Sequence, residues 1–311
     1  MSDQEGSVDP SATGCDAEAS ASSEDTRLPA SLRRENLIEY DLTRYPFPQI
    51  VHMLLDAGEL QQLHTTVAAQ QWLNGMVSNN ARAYAVRRNA YDKRFKEIDP
   101  FKQAKPLQEC YLRFLREVVA PLIEAHVPGG SSEMLYQAQP NFRCHLPGTG
   151  HLLVHRHRDA DYHHQPNELN IWLPLTPCQG SNTLWSESSP GLGDYRPFEL
   201  VPGQCMLFWG HQCSHYTVPN ETGVTRVSID FRVVPLSFYR PLYPNSHRRD
   251  GQPRFAKGCF FATLGERADG QQHALDGDAA AAGAPSVAAG REEEDEEEEL
   301  GPELMAAIAV F

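Results

Sequence analysis

No stretch of this chain reaches 18 consecutive apolar residues, so nothing in it reads as a membrane span. The acidic N-terminus lacks the apolar core of a secretory signal and the Arg-rich character of a transit peptide. The seven cysteines, Cys15, Cys110, Cys144, Cys178, Cys205, Cys213 and Cys259, are odd in number, dispersed and never spaced as C-x-x-C. That argues against a disulfide framework or a structural zinc and for a reducing, cytoplasmic setting. Basic residues form no stripe of the kind a nucleic-acid surface needs. No phosphate-binding P-loop, no G-x-G-x-x-G and no G-x-S-x-G occurs. The expected partner is therefore a small molecule, with neither nucleic acid nor membrane involved, and nothing in the sequence sets an oligomeric state.

Charge is unevenly spread over the 311 residues, whose net value is −14. Residues 1–30 carry −6 and residues 264–311 carry −11, which leaves +3 for residues 31–263. The low isoelectric point thus belongs to the ends and says little about what the middle binds. Both ends are Ser, Ala, Gly and acid, including the run Glu292–Glu299. Such segments bury too little apolar surface to offset their ordering entropy, so residues 1–30 and 264–311 are expected to be disordered tails. One domain remains, residues 31–263, with a helical part over 31–130.

Within that helical part, Tyr45-Pro-Phe-Pro48 favours an extended entry, and Ile50–Leu55 reads as a short strand. Leu60 and Leu63 suit a helix after Gly58, and residues 80–97 have helical propensity. The clearest helix spans about 106–126, where Leu107, Cys110, Tyr111, Phe114, Leu115, Val118 and Leu122 recur at helical spacing. From Glu133 the pattern changes to short extended runs broken by Pro, Gly and Asn. Strands are expected near 133–145, 151–158, 168–176, 181–188, 197–200, 204–209, 214–219 and 224–234. Eight short strands with turns between them suggest a mainly β fold, a jelly-roll or cupin-like barrel covered by the helices. Gly203 and Gly210 are expected to serve turns, as is Asn220–Gly223.

Eight of the thirteen histidines lie between His145 and His215. The informative spacing is His157-x-Asp159, then His215, then Arg226-x-Ser228. On an extended strand residues i and i+2 share a face, so His157 and Asp159 can present an imidazole and a carboxylate together. His215 then completes a set of two histidines and one carboxylate, which leaves open positions on a metal and suits Fe(II) oxygenase chemistry. Two other registers stay open: His155, His157 and Asp161 with His215, and His211 in place of His215.

The run Thr225–Val234 alternates cleanly. Val227, Ile229, Phe231 and Val233 share one face; Arg226, Ser228, Asp230 and Arg232 share the other. If the apolar face packs under the helices, Arg226 lies in the barrel and needs a partner, because an unpaired buried charge is costly. A dicarboxylic cosubstrate such as 2-oxoglutarate supplies one, held by Arg226 and Ser228, with Asn170 beside it. Gln137, Arg143, Tyr162, Trp172, Asn182, Trp185 and Glu187 are candidate pocket residues. Gln137, Arg143, Tyr162, Trp172 and Glu187 among them are the candidates for contacting substrate.

The segments YQAQPNFRCHLPG, HRHRDADYHH, ELNIWLPLT, SNTLWSESSPG, GDYRPFEL, FWGHQCSHYTVPNETG and TRVSIDFRVVP together resemble the StrG-type streptomycin-biosynthesis proteins. Through them the chain resembles the wider Fe(II)/2-oxoglutarate-dependent dioxygenases with a double-stranded β-helix core. The resemblance covers about residues 133–235 and touches neither tail. It implies iron on His157, Asp159 and His215 and 2-oxoglutarate on Arg226. It also implies a polar substrate, sugar- or aminocyclitol-like, whose oxidation is coupled to decarboxylation of 2-oxoglutarate to succinate. The extra histidines around His157 depart from the family pattern and bear on the ligand register. A cupin-type metal enzyme that works without 2-oxoglutarate and a non-catalytic sugar-binding jelly roll are the competing readings.

Overall fold

The computed structural model describes residues 28–55, 58–65, 105–130, 133–148, 150, 152–241, 243, 254–258 and 260–264. The expected helix at 80–97, His151 and nearly all of both expected tails lie outside the described residues. Leu28 and Leu264, each within an expected tail, are buried. Among the described residues no helix is long and apolar enough to cross a membrane.

The fold is mainly β with flanking helices. A large antiparallel sheet contains β1 (Asn36–Glu39), β7 (Gln204–Phe208), β4 (Leu169–Pro174), β9 (Arg226–Pro235), β2 (Met134–Gln137) and β10 (Phe261–Leu264) in that order, and β3 (Asn141–His145) also pairs with β9. A smaller sheet has the order β6 (Arg196–Pro197), β5 (Trp185–Ser186), β8 (His215–Tyr216). An isolated antiparallel bridge, His157 to His215, adds one more extended position beside β8.

Counted from β3 to β9, the described residues lay down eight extended segments. The first, eighth, third and sixth lie side by side in the large sheet (β3-β9-β4-β7). The second, seventh, fourth and fifth do so in the small one (His157-β8-β5-β6). This ordering is a double-stranded β-helix, a jelly roll with two facing sheets.

The alternation of β9 explains how the layers stack. Val227, Ile229, Phe231 and Val233 belong to the main apolar cluster, together with Leu169, Ile171 and Leu173 of β4. Helix α1 (Phe47–Leu55) and helix α2 (Lys105–Phe114) contribute Phe47, Ile50, Val51, Leu55, Leu107, Cys110, Tyr111 and Phe114 to the same cluster. The Tyr111 and Phe231 rings meet edge to face at 5.0 Å. The helices therefore cover the outer face of the large sheet. The opposite face looks into the barrel, where Trp172, Cys178, Leu184, Phe198, Leu200 and Phe208 form a second cluster.

Several elements differ from the reading of the sequence. Phe47–Leu55 is a helix, not an extended entry and a strand. Pro48 sits in its first turn, where a missing amide costs nothing, and Phe47, Ile50, Val51 and Leu55 then fall on one side. The helix from 105 is broken by a π turn, Leu115–Val119, before α3 (Ala120–Glu124). That turn advances the buried stripe by one residue. Val119 and Ile123 are buried, while the expected Val118 and Leu122 only pack against the cluster from its edge.

The expected strand 133–145 is two strands, β2 and β3, separated where Pro140 lacks the amide a ladder requires. The expected strand 151–158 is reduced to the single bridge at His157. Upstream of it the Thr217 amide donates to the Val154 carbonyl at 3.0 Å, and the Thr217 hydroxyl accepts the amides of Leu153 and Val154, both at 2.9 Å. Strands β1 and β10 extend the large sheet at both edges and carry no strong alternation that would have announced them.

Candidate active site

Three side chains converge between the two sheets. His215 stands on β8, and His157 faces it across the bridge, where each residue's amide donates to the other's carbonyl (3.2 and 2.9 Å). Asp159 is not on a strand with His157; it opens a short 3-10 turn, Asp159–Tyr162. The i, i+2 argument for a shared strand face therefore does not hold, yet the side chains meet. Asp159 Oδ1 lies 3.5 Å from His157 Nε2 and 3.7 Å from His215 Nε2. One ligand atom from each of the three residues falls within 4.8 Å of the others, a set that could hold a metal ion.

Each of these groups is oriented from behind. His157 Nδ1 is 2.8 Å from the carbonyl of His155, and His215 Nδ1 is 3.0 Å from that of Cys213. A carbonyl only accepts, so Nδ1 carries the proton in both rings and each Nε2 keeps a lone pair directed at Asp159. Asp159 Oδ2 accepts from Asn170 Nδ2 at 2.7 Å and from Arg232 Nε at 2.8 Å. Its other oxygen, Oδ1, is buried without a hydrogen-bond partner. An unpartnered, buried carboxylate oxygen between two imidazole lone pairs is unfavourable unless a cation completes the site. The residues present thus fit a divalent metal.

Electrostatics agree with that geometry. Burial raises the pKa of the Asp159 carboxyl, but the charge of Arg232 and its hydrogen bond to Oδ2 hold it well below the usual carboxylate range. Burial pushes the His215 imidazole down to about 4, so that ring is neutral, the form that ligates metals.

Beside the three residues is an open cavity of about 470 Å³, mouth included. His157, His215, Asn170 and Arg232 line one end. Trp172, Leu184, Phe208 and Val154 supply apolar wall. Arg226 also lines it and is almost fully buried, at 1 % exposure. Its Nε has no hydrogen-bond partner, and its guanidinium sits 5.8 Å from the centre of the Trp172 ring. Ser228, next on the same face of β9, has a buried hydroxyl that is also unpartnered. Burial lowers the pKa of Arg226, the cost of a charge held away from water with no carboxylate in hydrogen-bond contact. Arg143 and Asp230, across β3 and β9, face the cavity as an ion pair at 2.9 Å.

Other expected pocket residues lie elsewhere. Glu187 accepts the amides of Ser214 (2.7 Å) and Gly193 (3.1 Å), fastening the loop after β5, and does not line the cavity. Gln137 is buried on β2, its amide bound to the carbonyl of Gln139. Tyr162 is half exposed and meets the His157 ring edge-on at 5.0 Å. Trp185 stacks on Tyr216 on the face of the small sheet opposite His215. Asn182 caps a turn through the amide of Gln179.

The alternative ligands do not join the cluster. His155 is exposed, and Asp161 is taken by the backbone and guanidinium of Arg158 (2.9 and 2.8 Å). His211 is buried against Gln212 and stacks near Trp209. Gly210 does more than turn the chain: a Cβ there would come within 2.7 Å of the Asn170 amide. Arg232 carries one signal in the sequence, its place on the polar face of β9 with Arg226. Glu168, which lies behind it, is the first residue of the expected strand 168–176 and shows nothing in sequence that sets it apart.

No protein-family model matches the chain. It is 36% identical over 129 residues to the streptomycin biosynthesis protein StrG of Streptomyces griseus. Among solved structures it is similar to a non-heme monooxygenase, the ThoJ–Ni complex, at 15% identity and a TM-score of 0.39, covering 66% of this chain and 75% of that one. It is also similar to CytC3 with Fe(II) and alpha-ketoglutarate, at 15% identity and a TM-score of 0.40, covering 75% and 85% of the two chains. The match to StrG takes in 40% of this chain and spans 61% of that relative's length.

Proposed function

We propose that the chain is an Fe(II)- and 2-oxoglutarate-dependent oxygenase acting on a small polar substrate. The observation that carries this reading is the unpartnered Asp159 Oδ1 between the Nε2 atoms of His157 and His215, with a buried guanidinium, Arg226, that no carboxylate contacts, in the same cavity. His157, Asp159 and His215 would hold the iron. Arg226, with the Ser228 hydroxyl, would hold the far carboxylate of 2-oxoglutarate as a directional charge-assisted pair. Bound iron and 2-oxoglutarate supply the oxidative chemistry, in which decarboxylation to succinate accompanies oxidation of the substrate.

The chain's own part is geometry and exclusion of water. The carbonyls of His155 and Cys213 fix which imidazole nitrogen is free. Trp172, Leu184 and Phe208 keep the cavity wall dry, which strengthens the Arg226–carboxylate attraction. The Arg143–Asp230 pair presents both a donor and an acceptor group to the cavity, which suits a hydroxyl-bearing substrate. Similarity to a streptomycin biosynthesis protein supports the same class, sugar- or aminocyclitol-like.

The test is an anaerobic titration of the apo-protein with Fe(II) and then 2-oxoglutarate, read by the visible charge-transfer absorption of a chelated Fe(II)–2-oxoacid. The expected result is a band that saturates at one equivalent and is weakened in Arg226→Ala. Metal binding without any band would overturn the cosubstrate assignment, and absence of metal binding would overturn the whole reading.

A further inference from the structure

Asp159 differs from the two histidines in how it is held. His157 and His215 are fixed by carbonyls of their own loops. Asp159 is fixed from across the barrel, by two side chains of the large sheet. Asn170 on β4 and Arg232 on β9 are direct partners in the sheet register, so their side chains emerge side by side on the inner face. Both donate to the same oxygen, Oδ2, at 2.7 and 2.8 Å. Asp159 is thereby tied to the large sheet while the histidines belong to the small one.

The clamp has its own support. The Arg232 side chain is 12 % exposed, and its Nε lies 3.6 Å from Glu168 Oε2. That oxygen accepts from His164 Nδ1 at 2.6 Å, and Oε1 accepts the amide of Gln165 at 3.1 Å. The His164 ring is stacked on Phe255 at 3.7 Å, and the His164 amide donates to the Asp159 carbonyl at 3.2 Å. The chain thus closes on itself, from Asp159 through Arg232, Glu168 and His164 back to the Asp159 backbone. Gly210, whose carbonyl accepts the Asp159 amide at 2.9 Å, leaves the space that the Asn170 amide occupies.

We propose that Arg232 and Asn170, backed by Glu168 and His164, are positioning residues that make Asp159 a one-oxygen metal ligand. A carboxylate free to rotate can offer both oxygens and fill two positions on a metal. With Oδ2 saturated by two donors, one of them charged, only Oδ1 remains. A bound metal would then be left with open positions for other ligands, and the small and large sheets are tied together at Asp159. This rests on the oxygenase reading, because it presumes a metal at the three residues.

The experiment compares wild type with Arg232→Met, Arg232→Lys and Asn170→Ala, as apo-proteins, by anaerobic Co(II) and Fe(II) titration. Co(II) reports its coordination through its visible ligand-field bands, independently of turnover. Partners of this kind typically contribute about 10–100-fold to metal affinity. Arg232→Met is expected to lose affinity in that range and to change the Co(II) band intensity and position. Arg232→Lys, which keeps one charged donor, is expected to recover part of both, and Asn170→Ala to show a smaller change of the same kind. Should Arg232→Met not fold, the other two variants carry the test. Wild-type affinity and wild-type Co(II) spectra in Arg232→Lys and Asn170→Ala would overturn the proposal, even if thermal stability fell. A wild-type protein that binds neither metal would overturn the oxygenase reading itself, and this inference with it.

Discussion

His157 and His215 face each other across a two-bond antiparallel bridge, their ring centroids 4.3 Å apart. The two imidazoles are therefore set by backbone pairing within the small sheet, whereas Asp159 reaches them from a 3-10 turn and is held by the opposite sheet. This division, two groups from one sheet and a third anchored to the other, has separable consequences.

Asp159→Ala is expected to abolish iron-dependent turnover of 2-oxoglutarate while leaving the fold intact. Removing one partner of a buried ion pair usually costs about 3–5 kcal/mol because the other charge is stranded. Here Arg232 keeps Glu168, 3.6 Å away, so the loss is expected to fall below that range. Succinate formation and urea unfolding of the variant check both halves. Retained turnover would remove Asp159 from the site.

Arg226→Met should separate stability from binding. The native guanidinium is buried without a carboxylate partner, and replacing buried charge by an apolar side chain of similar size often stabilises by about 1–4 kcal/mol. The apo-variant is expected to unfold at higher temperature than apo-wild type. Adding 2-oxoglutarate with metal should raise the wild-type midpoint and leave the variant's unchanged. A variant less stable than wild type would mean that Arg226 has a structural partner.

Gly210→Ala tests the space under the clamp. The new methyl would meet the Asn170 amide at 2.7 Å. Overpacking of this kind costs about 1–3 kcal/mol, and the amide it displaces is one of the two donors to Asp159 Oδ2. Chemical denaturation should show the loss, with weakened metal binding beside it. An unchanged midpoint would show that Asn170 yields without consequence.

Glu117, in the π turn, accepts from Arg44 at 2.8 Å and from Tyr45 at 2.6 Å. The Arg44 and Tyr45 hydrogen bonds pull its carboxyl from 4.5 down to about 2. A folded-state value below the unfolded one gives stability that is complete above 4.5 and is lost as pH falls from there toward 2. The pair is largely exposed, so solvent screens it and the effect is small. Glu117→Gln is expected to lower the thermal midpoint by about 2 °C or less at pH 7, with the difference shrinking below pH 4.5. A difference that grows on acidification would contradict the sign.

Patterns set by a single element were legible in the sequence. The alternation of β9 separated Val227, Ile229, Phe231 and Val233 from Arg226, Ser228, Asp230 and Arg232; the structure puts the first set under the helices, and Arg226, Asp230 and Arg232 line the cavity. The stripe of α2 was legible as far as Leu115, then slipped by one residue because a π turn leaves no mark in a 3.6-residue count. The helix at Phe47 has no clear local signal, because a proline such as Pro48 breaks a helix interior yet fits its first turn.

By itself, the sequence determined which side chains were available: two histidines, a carboxylate and an arginine at telling intervals, on short alternating strands. Only the tertiary structure decided which of them meet. Asp159 rather than Asp161 turns toward the histidines because Asp161 is used to cap its own turn on Arg158. Arg232 reaches Asp159 because β4 and β9 pair with Asn170 opposite Arg232. Such choices depend on register between distant strands, where a shift of one residue reverses every side chain, and no local pattern encodes that.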